Sequence, residues 1–389
     1  MKLYTEVYLF LILLTFTIDL LLYKQSKKGI FINLLFILLP GVFFLGGFTW
    51  VKFFYQQFSA PQLPFIISWF NLLFIVIYIP KLLLIVGNFI KQKTQLKKST
   101  VNNVIYITIA LYLFLIFYGT FISTNRIEVN KLEIRFQNLP ANFDNYTIVQ
   151  ITDIHLGSRP NDKQFYKNVV DKINLENPDI VVFTGDMVNN FASEMVGFDT
   201  IFLRIKAKDG NFAVLGNHDY GDYTVWNLPK EKSENLNQIK KMFSNFGFRL
   251  LNNESIILKS GADSIELIGV ENFSKKENKS YSNLQNALKK VDNKSFKILL
   301  SHNPEHWEQE ILPQSNIDLT LSGHTHAAQM GMQLNGKIYS PAAFLFKQYN
   351  GLYEKENQKI NVSHGIGYIG LPLLIGLNPE ITVIKLRKK

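Results

Sequence analysis

The chain has 389 residues, no cysteine and a formal net charge of +10. This length exceeds that of one ordinary domain, and the absence of Cys excludes disulfide frameworks, zinc–thiolate sites, iron–sulfur clusters and thiol nucleophiles. The charge is uneven, because residues 1–126 carry a net +9 whereas residues 127–389 carry only +1. Since the second part lacks the basic excess that nucleic-acid binding requires, we expect no nucleic-acid partner.

Four long apolar stretches fill the first third of the chain. They are Val7–Tyr23, Gly29–Trp50, Leu63–Pro80 and Val104–Ile122. Each approaches the ~20 residues that a helix needs to cross a bilayer, and each is apolar on nearly all sides. They predict four transmembrane helices in a membrane domain at residues 1–126. A cleavable signal peptide is the alternative for the first stretch, but no small-residue cleavage site follows it.

The lysines of the connecting loops predict the orientation of these helices. Cytoplasmic loops carry an excess of Lys and Arg, and the loops after the first and third stretches are rich in Lys. The loop between the second and third stretches carries only Lys52. We therefore expect a multi-pass protein of a bacterial plasma (inner) membrane with residues 127–389 extracytoplasmic. Asp19 and Lys81 lie at inner helix ends, where snorkelling to the interface is favoured over pairing.

After Arg126 the pattern changes to short β-branched runs that alternate with amphipathic stretches, which is typical of an α/β domain at 127–389. The predicted strands are Ile127–Phe136, Tyr146–Ile151, Ile180–Thr184, Phe212–Leu215, Ser264–Val270, Phe296–Ser301, Ile317–Leu321 and Ile381–Leu386. The predicted helices include Lys163–Glu176, Glu234–Phe246 and Ser282–Val291.

Five of the predicted strands end in groups rich in Asp, Asn and His. These groups are Asp153-Ile154-His155, Gly185-Asp186, Gly216-Asn217-His218-Asp219, His302 and Gly323-His324-Thr325-His326. In α/β sheets, sites assemble beyond the carboxyl ends of strands, so these loops are expected to converge. A single Asp-x-His or Gly-Asp motif is weak evidence of a site, but five such groups in order make coincidence a poor explanation.

The donors in these groups suit divalent metal ions. Imidazole, carboxylate and amide oxygen without sulfur favour Mn, Fe or Zn, with Mg possible and less favoured. The candidate ligands are Asp153, His155, Asp186, Asn217, His302, His324 and His326. Seven donors are too many for one open site. Shared through a bridging carboxylate, they fit two divalent metal ions ~3.5–4 Å apart, as in displacement at phosphorus.

In this order the motifs resemble those of the calcineurin-like metallophosphoesterases, over about residues 145–330. The resemblance implies a β-sandwich flanked by helices (αββα) and hydrolysis of a phosphoester or pyrophosphate bond by metal-activated hydroxide. It implies one metal at Asp153, His155 and His326, a second at Asn217, His302 and His324, and Asp186 as the bridge. It also implies that His218, oriented by Asp219, stabilises the transition state or protonates the leaving oxygen; a buried structural histidine is the alternative for His218.

Two further histidines lie outside this pattern. His306 follows Pro304 and is expected on a helix surface rather than beside His302 in a metal site. His364 stands where membrane-linked relatives tend to carry Arg, and Leu374 where a second basic residue often occurs. No anion-binding role is therefore transferred to His364 or Leu374.

The order of the domains along the chain predicts the class of substrate. Several helices followed by this domain, and the closing Pro379-Glu380-Ile381-Thr382, are similar to the transmembrane branch of the family, which includes UDP-2,3-diacylglucosamine pyrophosphatase-like proteins of lipid A biosynthesis. The resemblance implies a lipid-linked substrate and a bilayer partner. That nucleotide lipid is cytoplasmic, so it conflicts with the predicted orientation. Ala342–Phe346 and Gly365–Leu377 are apolar and either rest on the membrane or form core.

Several alternatives remain open at this point. A phosphomonoesterase or phosphodiesterase could act on a soluble substrate, and a metal-binding membrane sensor could lack catalysis altogether. A transporter is disfavoured because few polar groups lie in the apolar stretches. The loop Tyr220–Ser233, with Tyr220, Tyr223 and Trp226, either contacts the substrate or is ordinary surface. The metal, the bond cleaved and the oligomeric state are not determined by the sequence.

Overall fold

The computed structural model of the chain describes residues 2–26, 29, 33–54, 61–275 and 280–389. The chain folds as two compact units, Met1–Tyr118 and Gly119–Lys389. The division falls inside a helix, shortly before the predicted domain boundary at residue 126. The residues 30–32 of the second apolar stretch, and part of the lysine-rich loop before it, lie outside the described residues.

The described part of the first unit is helical. Its helices are α1 (Lys2–Gln25), α2 (Leu39–Phe54), α3 (Leu63–Lys93) and α4 (Lys98–Phe121), and a π-helical turn, Leu34–Leu38, precedes α2. Within the described residues, two helical stretches rather than the predicted four are long and apolar enough to cross a membrane, Leu63–Lys93 and Lys98–Asn125. The apolar helix Leu35–Val51 is shorter. Membrane association is therefore supported by two helices.

A buried ion pair lies in the first unit, where snorkelling was expected. Lys81 Nζ donates to Asp19 Oδ1 at 2.6 Å, and the Tyr78 hydroxyl donates to Asp19 Oδ2 at 2.8 Å. Asp19 and Lys81 are both buried, so the snorkelling prediction is wrong. The reason is that the Asp19 carboxylate, which accepts from both Lys81 and Tyr78, stabilises the ammonium inside the helical core.

The second unit is built on fourteen described strands. They are β1 (Glu128–Phe136), β2 (Thr147–Ile151), β3 (Ile180–Thr184), β4 (Gly210–Val214), β5 (Arg249–Leu250), β6 (Glu254–Ser260), β7 (Asp263–Gly269), β8 (Lys297–Leu300), β9 (Leu319–Ser322), β10 (Met332–Leu334), β11 (Lys337–Tyr339), β12 (Gly351–Lys355), β13 (Gln358–Val362) and β14 (Glu380–Lys388). One six-stranded sheet has the order β1-β14-β2-β3-β4-β5, and another has the order β12-β13-β9-β8-β7-β6. The strands β10 and β11 form a separate hairpin.

Helices cover the outer faces of the two sheets. They are α5 (Lys163–Leu175), α6 (Asp199–Phe202), α7 (Pro229–Asn245), α8 (Leu284–Leu288) and α9 (Leu312–Gln314), with a π-helical segment Trp307–Ile311. Ile148 and Leu267 belong to the core between the sheets. Val169 of α5 and Phe243 of α7 pack on the first sheet, and Trp307 belongs to a core on the second. The result is an α/β fold with mixed sheets, which confirms the predicted class.

The strand directions bring the polar loops together. In the first sheet β2, β3 and β4 are parallel, and in the second β8 and β9 are parallel. The strands are short and almost entirely buried, since both faces are covered. The chain leaves each of them at its carboxyl end into one of the five Asp-, Asn- and His-rich loops.

Candidate metal centre

The structure brings the predicted ligands into two adjacent groups. The ligand atoms of Asp153, His155 and His326 all lie within 4.8 Å of one another, and so do those of Asp186, His302 and His324. Asn217, the seventh candidate, lies beside the second group. Residues separated by more than 150 positions in the chain thus converge at the strand ends, as the sequence predicted.

In the first group, imidazole nitrogens face each other. The Nε2 atoms of His155 and His326 are 3.1 Å apart, and His326 Nε2 lies 3.3 Å from Asp153 Oδ1. All three residues are buried. The Nδ1 atoms of both histidines have no hydrogen-bond partner among the described residues. The two Nε2 atoms and the Asp153 carboxylate oxygen converge inside the fold, and this set of donor atoms fits a bound divalent cation.

In the second group, His302 is the common neighbour. Its Nε2 lies 3.1 Å from Asp186 Oδ2, 3.2 Å from His324 Nδ1 and 3.0 Å from Asn217 Oδ1. One nitrogen cannot satisfy three neighbours with a single proton. The other nitrogen, Nδ1, lies 2.8 Å from the carbonyl oxygen of Thr184. A proton on Nδ1 leaves the lone pair of Nε2 for a metal ion, as in most histidine-metal sites.

Asp186 lies between the two groups. Its Oδ2 atom is 3.1 Å from His302 Nε2 in one group and 3.7 Å from His155 Nε2 in the other. A single carboxylate oxygen therefore faces both donor sets. This is the position that a ligand shared by two cations must occupy.

The backbone at the site adopts an uncommon conformation. Five of the seven candidate ligands have positive φ, a region that non-glycine residues rarely adopt: Asp153, His155, Asp186, His324 and His326. Close packing reinforces these turns, because a Cβ atom on Gly323 would overlap the Asp153 carboxylate and the Thr152 hydroxyl. Such strain persists where surrounding structure enforces it, and it concentrates at functional sites.

The electrostatics favour neutral imidazoles at His155 and His324. At His302, in contrast, the lowering of the pKa by burial is outweighed by the Asp186 carboxylate, which raises the pKa to about 9. Burial, reinforced by the neighbouring His302, lowers the pKa of His324 to about 3. Burial and the nearby His218 lower the pKa of His155 well below its usual range. Since a histidine must be unprotonated to bind a metal ion, the protein environment prepares these two side chains for coordination.

His218 lies beside the first group, but Asp219 does not orient it. The Nδ1 atom of His218 is 2.8 Å from the Asn189 carbonyl oxygen, and its ring stacks on Tyr223 with centroids 4.3 Å apart. The Asp219 carboxylate instead accepts the backbone N–H groups of Gly216, Asp186, Met187 and Val188. The predicted Asp219–His218 pair is therefore wrong, because the carboxylate is used to hold two ligand-bearing loops together.

Asn189 and Tyr223 are the neighbours that sequence reasoning did not assign. The carbonyl of Asn189 belongs to the loop after β3, and no side-chain pattern reveals a backbone acceptor. Tyr223 accepts a hydrogen bond from Asn217 Nδ2 at 2.9 Å and so contacts a candidate ligand. The other aromatic residues of this loop serve packing: Tyr220 stacks on Tyr281, and Trp226 packs edge-on to Phe191.

His306 and His364 belong to neither donor group. His306 is fully buried, with Nδ1 2.9 Å from Ser301 Oγ and Nε2 3.0 Å from Glu310 Oε2. The prediction of a surface position is wrong, since these partners and stacking on Phe273 place the ring inside the fold. His364 is also buried, and its Nδ1 lies 2.7 Å from Glu380 Oε2.

The family model described as calcineurin-like phosphoesterase matches residues 146–328, which contain both donor groups. These residues form a calcineurin-like phosphoesterase domain. Members of this family use a binuclear divalent metal centre, and the two groups of Asp and His side chains could hold one. The matched domain, together with relatives named metallophosphoesterases, supports a hydrolase of phosphoester bonds.

Similar proteins align with 69–73% of the chain. The uncharacterized metallophosphoesterase YkuE of Bacillus subtilis is 29% identical over 277 residues, which cover 69% of this chain and 89% of that protein. A metallophosphoesterase of Helicobacter pylori strain J99 is 29% identical over 290 residues, 73% of this chain and 71% of that protein. The transmembrane protein with metallophosphoesterase domain of Danio rerio is 28% identical over 277 residues, 70% of this chain and 60% of that protein.

Proposed function

We propose that this protein is a membrane-anchored phosphohydrolase that uses two divalent cations to cleave a phosphoester or pyrophosphate bond of a lipid-linked substrate. The observation that carries the proposal is the position of Asp186. Its Oδ2 faces His302 at 3.1 Å and His155 at 3.7 Å, so one carboxylate serves two donor groups. Two cations bound there supply positive charge for the transition state and lower the pKa of water towards neutrality.

The ligands divide between two cations according to the groups. Asp153, His155 and His326 would hold one cation, and His302, His324 and the Asn217 amide oxygen would hold the other. Asp186 would serve both. Of these donors, Asp153 is fixed by its own neighbours, since it accepts the Thr152 hydroxyl at 2.7 Å and the His324 backbone N–H. Ligands held in this way keep their geometry before the substrate arrives.

His218 stabilises the reacting phosphoryl group or protonates the leaving oxygen. The Asn189 carbonyl keeps a proton on Nδ1, and stacking on Tyr223 fixes the plane of the ring. The His155 ring is 4.9 Å away, edge to face, which places His218 at the first donor group. A histidine that is oriented through one nitrogen can exchange a proton through the other.

Membrane anchoring and a lipid substrate rest on the first unit. Two apolar helical stretches are long enough to cross a bilayer, and the Danio rerio relative is named a transmembrane protein. Anchoring raises the local concentration of any substrate in the same bilayer. A UDP-2,3-diacylglucosamine-like lipid fits if the catalytic unit is cytoplasmic, whereas the extracytoplasmic orientation predicted from the lysines requires another lipid-linked phosphate.

The test compares two carboxylates that each face a histidine nitrogen. The full chain is stripped of metal, reloaded with Mn, Zn or Mg, and assayed on aryl phosphate monoesters, diesters and a pyrophosphate. Asp186→Asn should abolish metal-dependent turnover. Glu310→Gln is the matched control, because Glu310 lies 3.0 Å from His306 outside the centre. Wild-type turnover no higher than that of Asp186→Asn would contradict the proposal.

The same preparation addresses the substrate. Vesicles that contain a phosphate-bearing lipid and the reconstituted chain are compared with the soluble aryl esters. Faster turnover of the lipid supports the lipid-linked assignment. Equal specific activity in detergent and in vesicles on soluble esters, with no turnover of the lipid, favours a soluble substrate instead.

A further inference from the structure

An exposed apolar surface lies next to the candidate metal centre. Phe344 is 93% exposed and Leu345 is 74% exposed, and Met332, Leu334 and Tyr339 are also exposed. We refer to these five residues as the apolar hairpin surface. Single exposed apolar side chains are common, but several from one hairpin and the loop that follows it indicate an interaction site.

The hairpin register places its apolar residues on one face. Met332 pairs with Tyr339, and Leu334 pairs with Lys337. Directly paired residues point to the same side of a hairpin, and the period of a strand is two, so these four side chains share a face. This face therefore carries three large apolar groups and one ammonium group.

The opposite face of the hairpin contacts the fold at Ile338, which is half-buried, whereas Gln333 is exposed. Gln333 and Ile338 point to this side, and the Tyr349 hydroxyl donates to the Ile338 carbonyl oxygen at 2.9 Å. A Cβ atom on Gly331 would lie 2.7 Å from the Ile338 side chain, which shows how closely the chain packs there. The hairpin is thus fixed in place with its apolar face turned outwards.

The hairpin begins beside the segment that receives the end of α4. The Leu374 N–H donates to the carbonyl oxygen of Gly119, in the last turn of α4, at 3.2 Å. The next residue, Ile375, bridges to Met330 and accepts the Gly331 N–H at 2.9 Å. A spanning helix leaves the lipid near its last apolar turn. The hairpin is therefore adjacent to the point where α4 emerges.

We propose that the apolar hairpin surface docks into the lipid bilayer that α4 spans. This inference rests on the membrane anchoring in the proposed function. Phe344, Leu345 and Met332 supply the apolar groups that enter an interface, and Tyr339 is of the aromatic type enriched there. Lys337, at the edge of the same face, is suited to the phosphate of a lipid headgroup.

Docking would place the metal centre at the headgroup level. Phe346, two residues after Phe344, lies edge-on to the His324 ring with centroids 5.6 Å apart. The Ser340 hydroxyl donates to the carbonyl oxygen of Ala327, next to His326. The docking surface and the ligand loop are thus one connected piece, so a phosphate at the bilayer surface would meet the cations.

The absence of cysteine makes a direct measurement simple. Leu345→Cys in the full chain is labelled with an environment-sensitive fluorophore and reconstituted into vesicles of phosphatidylcholine and phosphatidylglycerol. Leu175→Cys is the matched control, because Leu175 is 76% exposed but ends α5 at the amino ends of the strands. Lipids with brominated acyl chains should quench the label at 345 roughly twofold and spare the label at 175, because interfacial groups lie about 5–10 Å deep.

Two outcomes would overturn the docking proposal. One is equal, weak quenching of both labels by brominated lipid. The other is a label at 345 that aqueous iodide and brominated lipid both fail to reach, which would mean that a second protein chain covers the surface.

A pair of charged substitutions separates docking from catalysis. Phe344→Asp combined with Leu345→Asp should lower turnover of a vesicle-borne phosphoester about tenfold or more, because two apolar anchors are lost. Turnover of a soluble aryl phosphate, which also reports correct folding, should stay unchanged. An equal loss on both substrates would contradict docking. Lipid quenching at 345 without turnover of any substrate would contradict the proposed function but support docking.

Discussion

Two buried clusters in the second unit, one with several histidines and one built on His364 alone, differ in the partners of their histidine nitrogens. At the candidate metal centre, His155 and His326 face each other through Nε2 at 3.1 Å, and neither Nδ1 has a partner within the described part of the chain. At the second cluster, His364 lies near Glu380 Oε2 and Asn350 Oδ1 through Nδ1 and near the Asn378 carbonyl through Nε2. Donor atoms that converge on one point, as the Nε2 atoms do, indicate ligand binding, whereas a histidine with a protein partner at both nitrogens has a structural role.

The backbone shows the same contrast. His155 and His326 have φ of +48° and +49°. His364, in contrast, does not have a positive φ. The ion pair of His364 with Glu380 thus forms without a left-handed backbone conformation at the histidine. Strain that the fold maintains without a bonding reason points to a constraint from function.

The largest expected effect comes from replacing a histidine of the metal centre. His302→Ala removes the nitrogen that faces Asp186, His324 and Asn217, and we expect turnover to fall by more than ~100-fold, since even neighbours of metal ligands typically matter by 10–100-fold. Metal content should fall as well. His306→Ala is the control, because it removes a buried histidine with protein partners. Equal metal loss in both variants would contradict the assignment.

The structural cluster should respond in stability rather than activity. Glu380→Gln leaves His364 buried without its carboxylate and should lower the free energy of unfolding by about 3–5 kcal/mol. The metal content of the folded protein should stay that of the wild type. Thermal and denaturant unfolding, together with elemental analysis, measure the two effects. Loss of metal with unchanged stability would reverse the roles assigned to the clusters.

The pH dependence of this ion pair follows from its two shifts. Burial alone lowers the pKa of His364, but the Glu380 carboxylate raises it above its usual 6.5; burial raises the pKa of Glu380, but His364 lowers it to about 2. The contribution of Glu380 is present above pH 4.5 and is lost towards pH 2, and that of His364 is present below pH 6.5 and is lost as the pH rises through its raised pKa. The stability difference between wild type and Glu380→Gln should therefore peak between these limits. A flat difference would argue against the pair.

Alanine substitutions at two glycines distinguish the effect of crowding at the metal centre from the effect of backbone strain alone. Gly323→Ala pushes a methyl group into the Asp153 carboxylate, so we expect a destabilisation of about 1–3 kcal/mol together with weaker metal binding. Gly336→Ala, at a φ of +74° in open space, should cost about 1–2 kcal/mol and leave metal affinity unchanged. Metal titration of both variants checks this, and unchanged affinity in Gly323→Ala would show that the loop yields freely.

The smallest expected effect lies in the first unit. Asp19→Leu leaves Lys81 and Tyr78 without their acceptor and should lower stability in detergent by about 1 kcal/mol, the scale of polar contacts between membrane helices. Asp19→Leu combined with Lys81→Leu should restore it. If neither variant differs from wild type in thermal unfolding, the pair has no stabilising role.

The sequence predicted the convergence of the ligand loops because each motif directly follows a strand, and parallel strands place their carboxyl ends together. It could not predict the role of Asp219. Whether a carboxylate after a histidine bonds that histidine or four backbone amides depends on the turn at Gly216, which local sequence does not specify. The Asn189 carbonyl was missed for the same reason.

Several elements were also beyond sequence reasoning. The edge strands β5, β6 and β12, and β13 beside β12, were not predicted, because exposed and intermediate positions give some of them a mixed polar pattern. His306 was expected at the surface, since the local sequence does not indicate that Ser301 and Phe273 are its neighbours. Asp19 and Lys81 pair across 62 positions, a contact that helix periodicity cannot reveal.

The most direct test of the central claim measures how many metal ions bind to each chain and whether their electron spins are coupled. The full chain is stripped of metal, titrated with Mn²⁺ as a probe, and examined by elemental analysis and electron paramagnetic resonance. Two ions bridged by Asp186 at ~3.5–4 Å should bind per chain and give the spectrum of a spin-coupled pair. One ion per chain, or two ions with uncoupled spectra, would contradict a shared centre.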